Sequence, residues 1–123
     1  MFVIASEETY EDGQIIYDEG NHGDWIYEII EGTVLITKKS GNRYITVTRL
    51  QPGDIFGEVS YIADIPRINR AQASGKVIVG VIDRTYLDKE MNKLSGDFRR
   101  ILKTTALRLK EMTGIAASSL TKE

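Results

Sequence analysis

Through residues 1–83 the apolar positions come in short runs rich in β-branched and aromatic side chains, at residues 25–30, 33–37, 44–50 and 77–82. Turn residues punctuate them: Asp12-Gly13, Glu19-Gly20, Asn21-His22-Gly23-Asp24, Glu31-Gly32, Ser40-Gly41-Asn42, Pro52-Gly53-Asp54 and Ser74-Gly75. Short strands joined by tight glycine turns predict an all-β sandwich or barrel. Residues 33–37 and 44–48 read as a hairpin closed at Ser40-Gly41-Asn42, with Ile45 and Val47 on one face and threonines on the other.

After Asp83 the period lengthens. Leu87, Met91 and Leu94 fall at i, i+4 and i+7, behind Thr85 with Asp88 three residues on, which reads as a capping box with Asp in place of Glu. Ser95-Gly96-Asp97 breaks and restarts a helix, along which Phe98, Leu102, Thr105, Leu109 and Met112 recur every three or four residues. This stripe either docks on the β part or pairs with a second copy through residues 97–113, forming a homodimer. Gly114 is the expected stop and residues 114–123 the expected frayed tail. The expected organisation is one domain over residues 1–123, with the β part at about 5–83 and helices at about 85–113. No internal repeat is visible, and no helix-turn-helix follows the long helix.

Composition narrows the function. Of 123 residues 41% are hydrophobic and 28% charged, the balance of a globular domain, and no apolar run is long enough to span a bilayer. The N-terminal residues turn acidic without a basic region, unlike a secretory signal, so the expected location is the cytoplasm. With no cysteine and one histidine, His22, disulfide scaffolds, thiolate or multi-histidine metal centres and cysteine nucleophiles are excluded. A metal-dependent enzyme on a cupin-like β-roll fails on the same count. His22 lies in a turn, and no nucleophilic triad is spelled out around it. Residues 1–83 carry 13 acidic against 7 basic side chains, and residues 84–123 carry 5 against 9. An acidic front half is a poor partner for the phosphate backbone of a nucleic acid, and the mixed basic stretch reads as a solvated helix face.

Candidate chemistry sits in residues 53–67. There a Pro-Gly-Asp turn leads to Phe56-Gly57-Glu58, a short apolar helical turn follows, and Pro66-Arg67 comes after it. Backbone N–H groups at a helix start, together with a guanidinium, make an anion site. An ionised Glu58 suits a hydroxyl donor. A Glu58–Arg67 ion pair stapling the loop explains the same two residues.

The chain resembles the cyclic-nucleotide-binding domain family. The resemblance rests on Gly13, Gly20, Gly23-Asp24, Tyr27, Ile29, Gly32, Val34, Leu50, Gly53-Asp54, Phe56-Gly57-Glu58, Pro66-Arg67 and Ala73. It implies an eight-stranded jelly-roll β-roll with a short phosphate-cassette helix and two C-terminal helices. By the same resemblance Glu58 accepts from a ribose 2′-OH and Arg67 grips the cyclic phosphate. The N–H groups of Gly57, Glu58, Val59 and Ile68 complete the cage. Ile36 and Val47 form the wall beside sugar and base, though both also read as core residues. The base itself falls to Thr104, Thr105, Arg108 or Thr113 of the long helix.

The sequence departs from the family after Arg67, where Ile68, Asn69, Arg70 and Ala71 replace a run of small and hydroxyl residues. Without a hydroxyl at Ile68, the contact that favours guanine in cyclic-GMP sensors is missing, which favours cyclic AMP. Asn69 either crowds the cassette or adds a polar contact, and Arg70 either joins the ligand or points outward from a strand. The expected function is a non-enzymatic cyclic-nucleotide sensor, read out by a partner protein, by a homodimer rearrangement or by further parts of a longer chain. The rival expectation is a degenerate, ligand-free β-roll that serves as a dimerisation or protein-interaction module.

Overall fold

The computed structural model describes residues 2–121, with six strands and three helices among them. In chain order these are β1 (Ile4–Tyr10), β2 (Ile15–Tyr17), β3 (Tyr27–Ser40), β4 (Arg43–Leu50), β5 (Ile55–Phe56), α1 (Glu58–Ala63), β6 (Arg70–Ile82), α2 (Arg84–Asn92) and α3 (Gly96–Thr121). All strand pairings are antiparallel.

Six strands replace the expected eight because β3 and β6 each run unbroken through a bend. Residues 27–31 of β3 pair with residues 78–81 of β6, flanked by β5 and β1; residues 33–37 pair with residues 70–74, flanked by β4 and β2. Each long strand thus contributes to two arms of the sheet. The register shifts on either side of Glu31, and Gly32 there adopts a φ of 94°, a left-handed conformation open to glycine. A side chain at Gly32 would overlap the Lys76 carbonyl oxygen, so glycine lets the strands cross at the bend and the turn at Glu31-Gly32 leaves β3 continuous.

Both arms turn their alternate apolar residues onto one core, whose fully enclosed members include Ile29, Val34, Val77 and Val79. The rings of Tyr27 and Phe56 stack within it at 5.0 Å, with Tyr17 6.0 Å from Phe56. The expected hairpin forms between β3 and β4, with Ser40 opposite Arg43 across Gly41-Asn42. A register shift interrupts it: Ile36 faces Thr48 and Thr37 faces Thr46, so Val47 is the extra residue of a bulge and leaves the simple alternation with Ile45.

The helical boundaries differ from the sequence expectation. Asp83, not Thr85, caps α2, its carboxylate accepting from the Tyr86 N–H at 3.0 Å. Ser95 accepts from the Phe98 N–H at the start of α3. Helix α3 then runs past Gly114 to Thr121, because Gly114 keeps a negative φ and so does not form the left-handed stop. The expected tail is therefore helical as far as Thr121; Lys122 and Glu123 lie outside the described residues. The face that docks is also rotated from the expected stripe: Ala106, Thr113 and Ala117 are buried, whereas Phe98 and Met112 are each 62% exposed. Small residues let α3 approach α1 closely, and Ala106 joins Val59, Ala63 and Ile68 in a second apolar cluster. No helix among the described residues is long and apolar enough to cross a membrane.

Candidate functional site

Between β4, the β5–α1 turn, the segment before β6 and the inner face of α3 lies a cavity of about 170 Å³. All eight residues expected at the site line it: Ile36, Val47, Gly57, Glu58, Val59, Arg67, Ile68 and Asn69. Ile36 is at once core and wall, because β3 is buried where it passes beneath the cavity. Val47 reaches the wall from its bulge, which turns the side chain out of the regular pleat.

The turn into α1 depends on Gly57. Its φ is 86°, and a Cβ there would stand 2.7 Å from Arg67 Nη1 and 2.8 Å from the Trp25 carbonyl oxygen. That close approach lets Arg67 fold in behind the turn, where it is 3% exposed. Nη1 donates to the Gly57 carbonyl and Nη2 to the Trp25 carbonyl, each at 2.8 Å. The guanidinium carbon lies 4.2 Å from the Tyr17 ring centroid. Nε is buried without a hydrogen-bond partner among the described residues.

The expected alternative, a Glu58–Arg67 ion pair, does not form among the described residues. Arg67 turns instead to two neutral carbonyls and a ring. A cation this deeply enclosed without a counter-charge is an unfavourable arrangement unless an anion can reach it. The Glu58 carboxylate accepts no hydrogen bond and makes no ion pair among the described residues, and Glu58 lines the cavity as an available acceptor. Burial holds the Tyr17 phenol above its ordinary range; the Arg67 charge draws it down and Glu58 pushes it up. The wall under Arg67 is therefore a neutral phenol.

Further donors face the same space. The first N–H groups of α1 have no carbonyl one turn earlier to bind, and Gly57 supplies no side-chain cap. The Ile68 N–H makes no hydrogen bond within the protein among the described residues. One cavity is thus lined by the residues that carry these donors, by a carboxylate and by the apolar side chains of Ile36, Val47 and Leu109. This suits an anion joined to a hydroxyl-bearing ring and a flat apolar group.

Of the four helix candidates for the far end, the structure brings Thr113 to the cavity. Thr104, Thr105 and Arg108 line a separate surface groove with Asp97, Arg100 and Ile101: Thr104 and Arg108 are turned away from the face that carries Leu109 and Thr113, and Thr105, on that face, lies two turns before Thr113, outside the cavity lining. Leu109 and Tyr17 also line the cavity and are not among the residues expected there. Leu109 belongs to the apolar stripe, so its spacing carried a signal; Tyr17 follows two isoleucines in a short strand and looks like any core aromatic. Arg70 does not line the cavity, and its guanidinium is engaged by the protein. It makes a two-point ion pair with Asp18, at 3.0 and 2.9 Å, and stacks on the Tyr44 ring outside the cavity. His22 is exposed in its turn, and among the described residues no cluster of three His, Cys, Asp or Glu is placed to hold a metal.

The profile described as "Cyclic nucleotide-binding domain" matches residues 7–93. The chain is 31% identical over 99 residues to the cAMP-dependent protein kinase regulatory subunit of Dictyostelium discoideum, covering 77% of this chain and 29% of that protein. It therefore spans less than a third of that relative's length. The cAMP-bound form of the EAL enzyme Bd1971 superposes with a TM-score of 0.83 and 25% identity, over 95% of this chain and 31% of that one. The cGMP-bound form of the same enzyme gives 0.79 and 26%, over 85% and 28%. The regulatory domain of Toxoplasma gondii PKA, co-crystallised with cAMP, gives 0.64 and 32%, over 83% and 38%. The match takes in the sheet from Glu7 onward, α1 and Arg67, and this chain belongs to the cyclic nucleotide-binding domain family.

Proposed function

We propose that the chain is a regulatory sensor domain, spanning residues 1–123, that binds a cyclic nucleotide, cAMP ahead of cGMP, and performs no chemistry of its own. The observation that carries this reading is Arg67: a buried guanidinium that lines the cavity and has, among the described residues, no carboxylate partner and an unpartnered Nε. The cyclic phosphate meets Arg67, the N–H groups of Gly57, Glu58 and Val59 at the start of α1, and the Ile68 N–H. Glu58 accepts from the ribose 2′-OH. Ile36 and Val47 cover the sugar and base, and the Thr113 hydroxyl stands at the far end for the base edge.

Base preference rests on Ile68. Its side chain is committed to the cluster with Val59, Ala63 and Ala106, so no hydroxyl is offered to guanine at that position. Asn69 lines the cavity as a polar neighbour, and Arg70 is held away by Asp18, which relieves the crowding that their size suggests. The same cluster gives a route for the signal. A phosphate drawing in the start of α1 moves Val59, against which α3 is packed, and so shifts the helix population. The setting is cytoplasmic, and the output passes to an effector protein, to a second copy through residues 97–113, or to other parts of a longer protein.

Isothermal titration of the chain with cAMP and with cGMP, beside Arg67→Ala, tests the reading. Saturable one-to-one binding that is lost in the variant is expected; no heat and no thermal stabilisation by either nucleotide would overturn it.

The exposed apolar residues of α3, Phe98 and Met112 among them, favour a second reading: a ligand-free module that dimerises or docks through this helix. It requires no nucleotide response. It also requires a self-association, read by sedimentation, that Met112→Glu abolishes.

A further inference from the structure

Two consecutive carbonyls at the base of the cavity are tied down from outside it. The Arg67 carbonyl accepts from the Gly20 N–H at 2.8 Å, and the Ile68 carbonyl accepts from Lys38 Nζ at 2.8 Å. Neither Gly20 nor Lys38 lines the cavity, whereas Ile68 and Asn69 both do. In a trans peptide the N–H points opposite to its carbonyl. Fixing those two carbonyls therefore turns the N–H groups of Ile68 and Asn69 away from Gly20 and Lys38. Neither N–H is used by the protein among the described residues.

The segment that does the tying is itself clamped by charge. Lys38 Nζ bonds Glu19 Oε2 at 2.8 Å, and Glu19 Oε1 accepts from the Lys39 N–H at 3.2 Å. Asp18 takes both arms of the Arg70 fork. Asn21 closes the loop, its carbonyl accepting from the Arg67 N–H at 2.9 Å. The half-buried Lys38 thus holds the cassette backbone directly, through Ile68, and indirectly, through Glu19 and Gly20.

We propose that Lys38 and Arg70 are positioning residues of the phosphate site: they clamp residues 18–20 and so fix the direction in which the Ile68 and Asn69 N–H groups meet the phosphate. This rests on the nucleotide-binding reading above. Arg70 secures the loop from the β6 side, while Lys38 secures it from β3.

Lys38→Met keeps the aliphatic stem and removes the donor; Lys38→Arg keeps a cation and donor. The test measures affinity for cAMP and for the two phosphorothioate diastereomers of cAMP, which differ in the phosphate oxygen that sulfur replaces. Lys38→Met is expected to weaken cAMP binding about tenfold and to change the ratio of affinities for the two diastereomers, with Lys38→Arg restoring most of both. Unchanged affinity, or a loss with an unchanged diastereomer ratio, would overturn the proposal. Amide resonances of the nucleotide-free protein give an independent reading. Ile68 and Asn69 should shift and lose order in Lys38→Met and in Arg70→Gln, and unaltered resonances there would also overturn it. Absence of nucleotide binding by the unmodified chain would instead defeat the binding reading, and the amide experiment still decides whether the clamp orients these groups.

Discussion

The Arg67 guanidinium lies 4.2 Å from the centroid of the Tyr17 ring, with one face covered and two of its donors bound to the carbonyls of Gly57 and Trp25. Tyr17 and the two carbonyls hold the cation in one orientation without neutralising it. Its positive charge is therefore retained for whatever enters the cavity, and the orientation is set before the ligand arrives.

Replacing Arg67 by Ala should reduce cAMP affinity by roughly 2 to 5 kcal/mol, as expected when one partner of a buried charged contact is removed. Arg67→Lys should recover only part of this, because one ammonium cannot reproduce the planar fork that meets both carbonyls and a phosphate. Titration calorimetry on the two variants checks it. Equal affinity across all three proteins would mean that Arg67 does not touch the phosphate.

Glu58→Gln should weaken cAMP by about 1.5 to 3 kcal/mol, the range for a hydrogen bond to a charged group. The penalty should disappear with 2′-deoxy-cAMP, which lacks the hydroxyl that Glu58 is proposed to accept. A penalty of the same size with both nucleotides would place the effect of Glu58 elsewhere.

Gly57→Ala should lower stability by about 1 to 3 kcal/mol from its left-handed backbone alone. The added methyl would also press on Arg67 Nη1 and the Trp25 carbonyl, so nucleotide affinity should fall with stability. Gly13→Ala provides the comparison: its φ is 81°, but nothing lies within 4 Å of the new methyl. Thermal melts with and without cAMP separate the two, since only Gly57→Ala should lose the stabilisation conferred by the nucleotide.

Acid should release part of the clamp. The hydrogen bonds from Arg70 hold the Asp18 carboxyl below its usual 3.8, with burial opposing. A carboxyl with a depressed folded pKa adds stability that is present above the unfolded value and is lost as pH falls through the folded one. The stability advantage of the unmodified chain over Asp18→Asn should therefore hold at neutral pH and shrink below about pH 4. Melting curves of the two proteins across this range test it, and a constant gap would show that Asp18 does not titrate with folding.

At the alkaline end, burial and the hydrogen bond to Asp88 push Tyr61 up to about 12 from 10.0. A raised folded pKa favours the protonated fold, so this contribution is present below about pH 10 and lost as pH rises through about 12. Ultraviolet titration should show one tyrosine fewer ionising near pH 12 in Tyr61→Phe, whereas loss of a tyrosine titrating near pH 10 would contradict the contact.

Much of this was legible locally. Most glycine turns, the β-branched runs and the change of period after Asp83 marked the strands and helices, because turn chemistry and side-chain alternation act over a few residues; Glu31-Gly32 and Ser74-Gly75 instead lie inside the continuous strands β3 and β6. Phe56-Gly57-Glu58 and Pro66-Arg67 marked the site for the same reason: a positive φ, a helix start and a fork of donors are properties of short segments. Three features were not legible. Whether Glu58 pairs with Arg67, which way Arg70 points and which face of α3 docks all depend on groups distant in sequence: Trp25, Asp18 and Ala63. Thus the chain's own local chemistry determined the kinds of element and the donors and acceptors available to a ligand. Tertiary structure decided which donors stay unpaired, because that depends on what the bend at Gly32 and the packing of α3 on α1 bring within hydrogen-bonding reach.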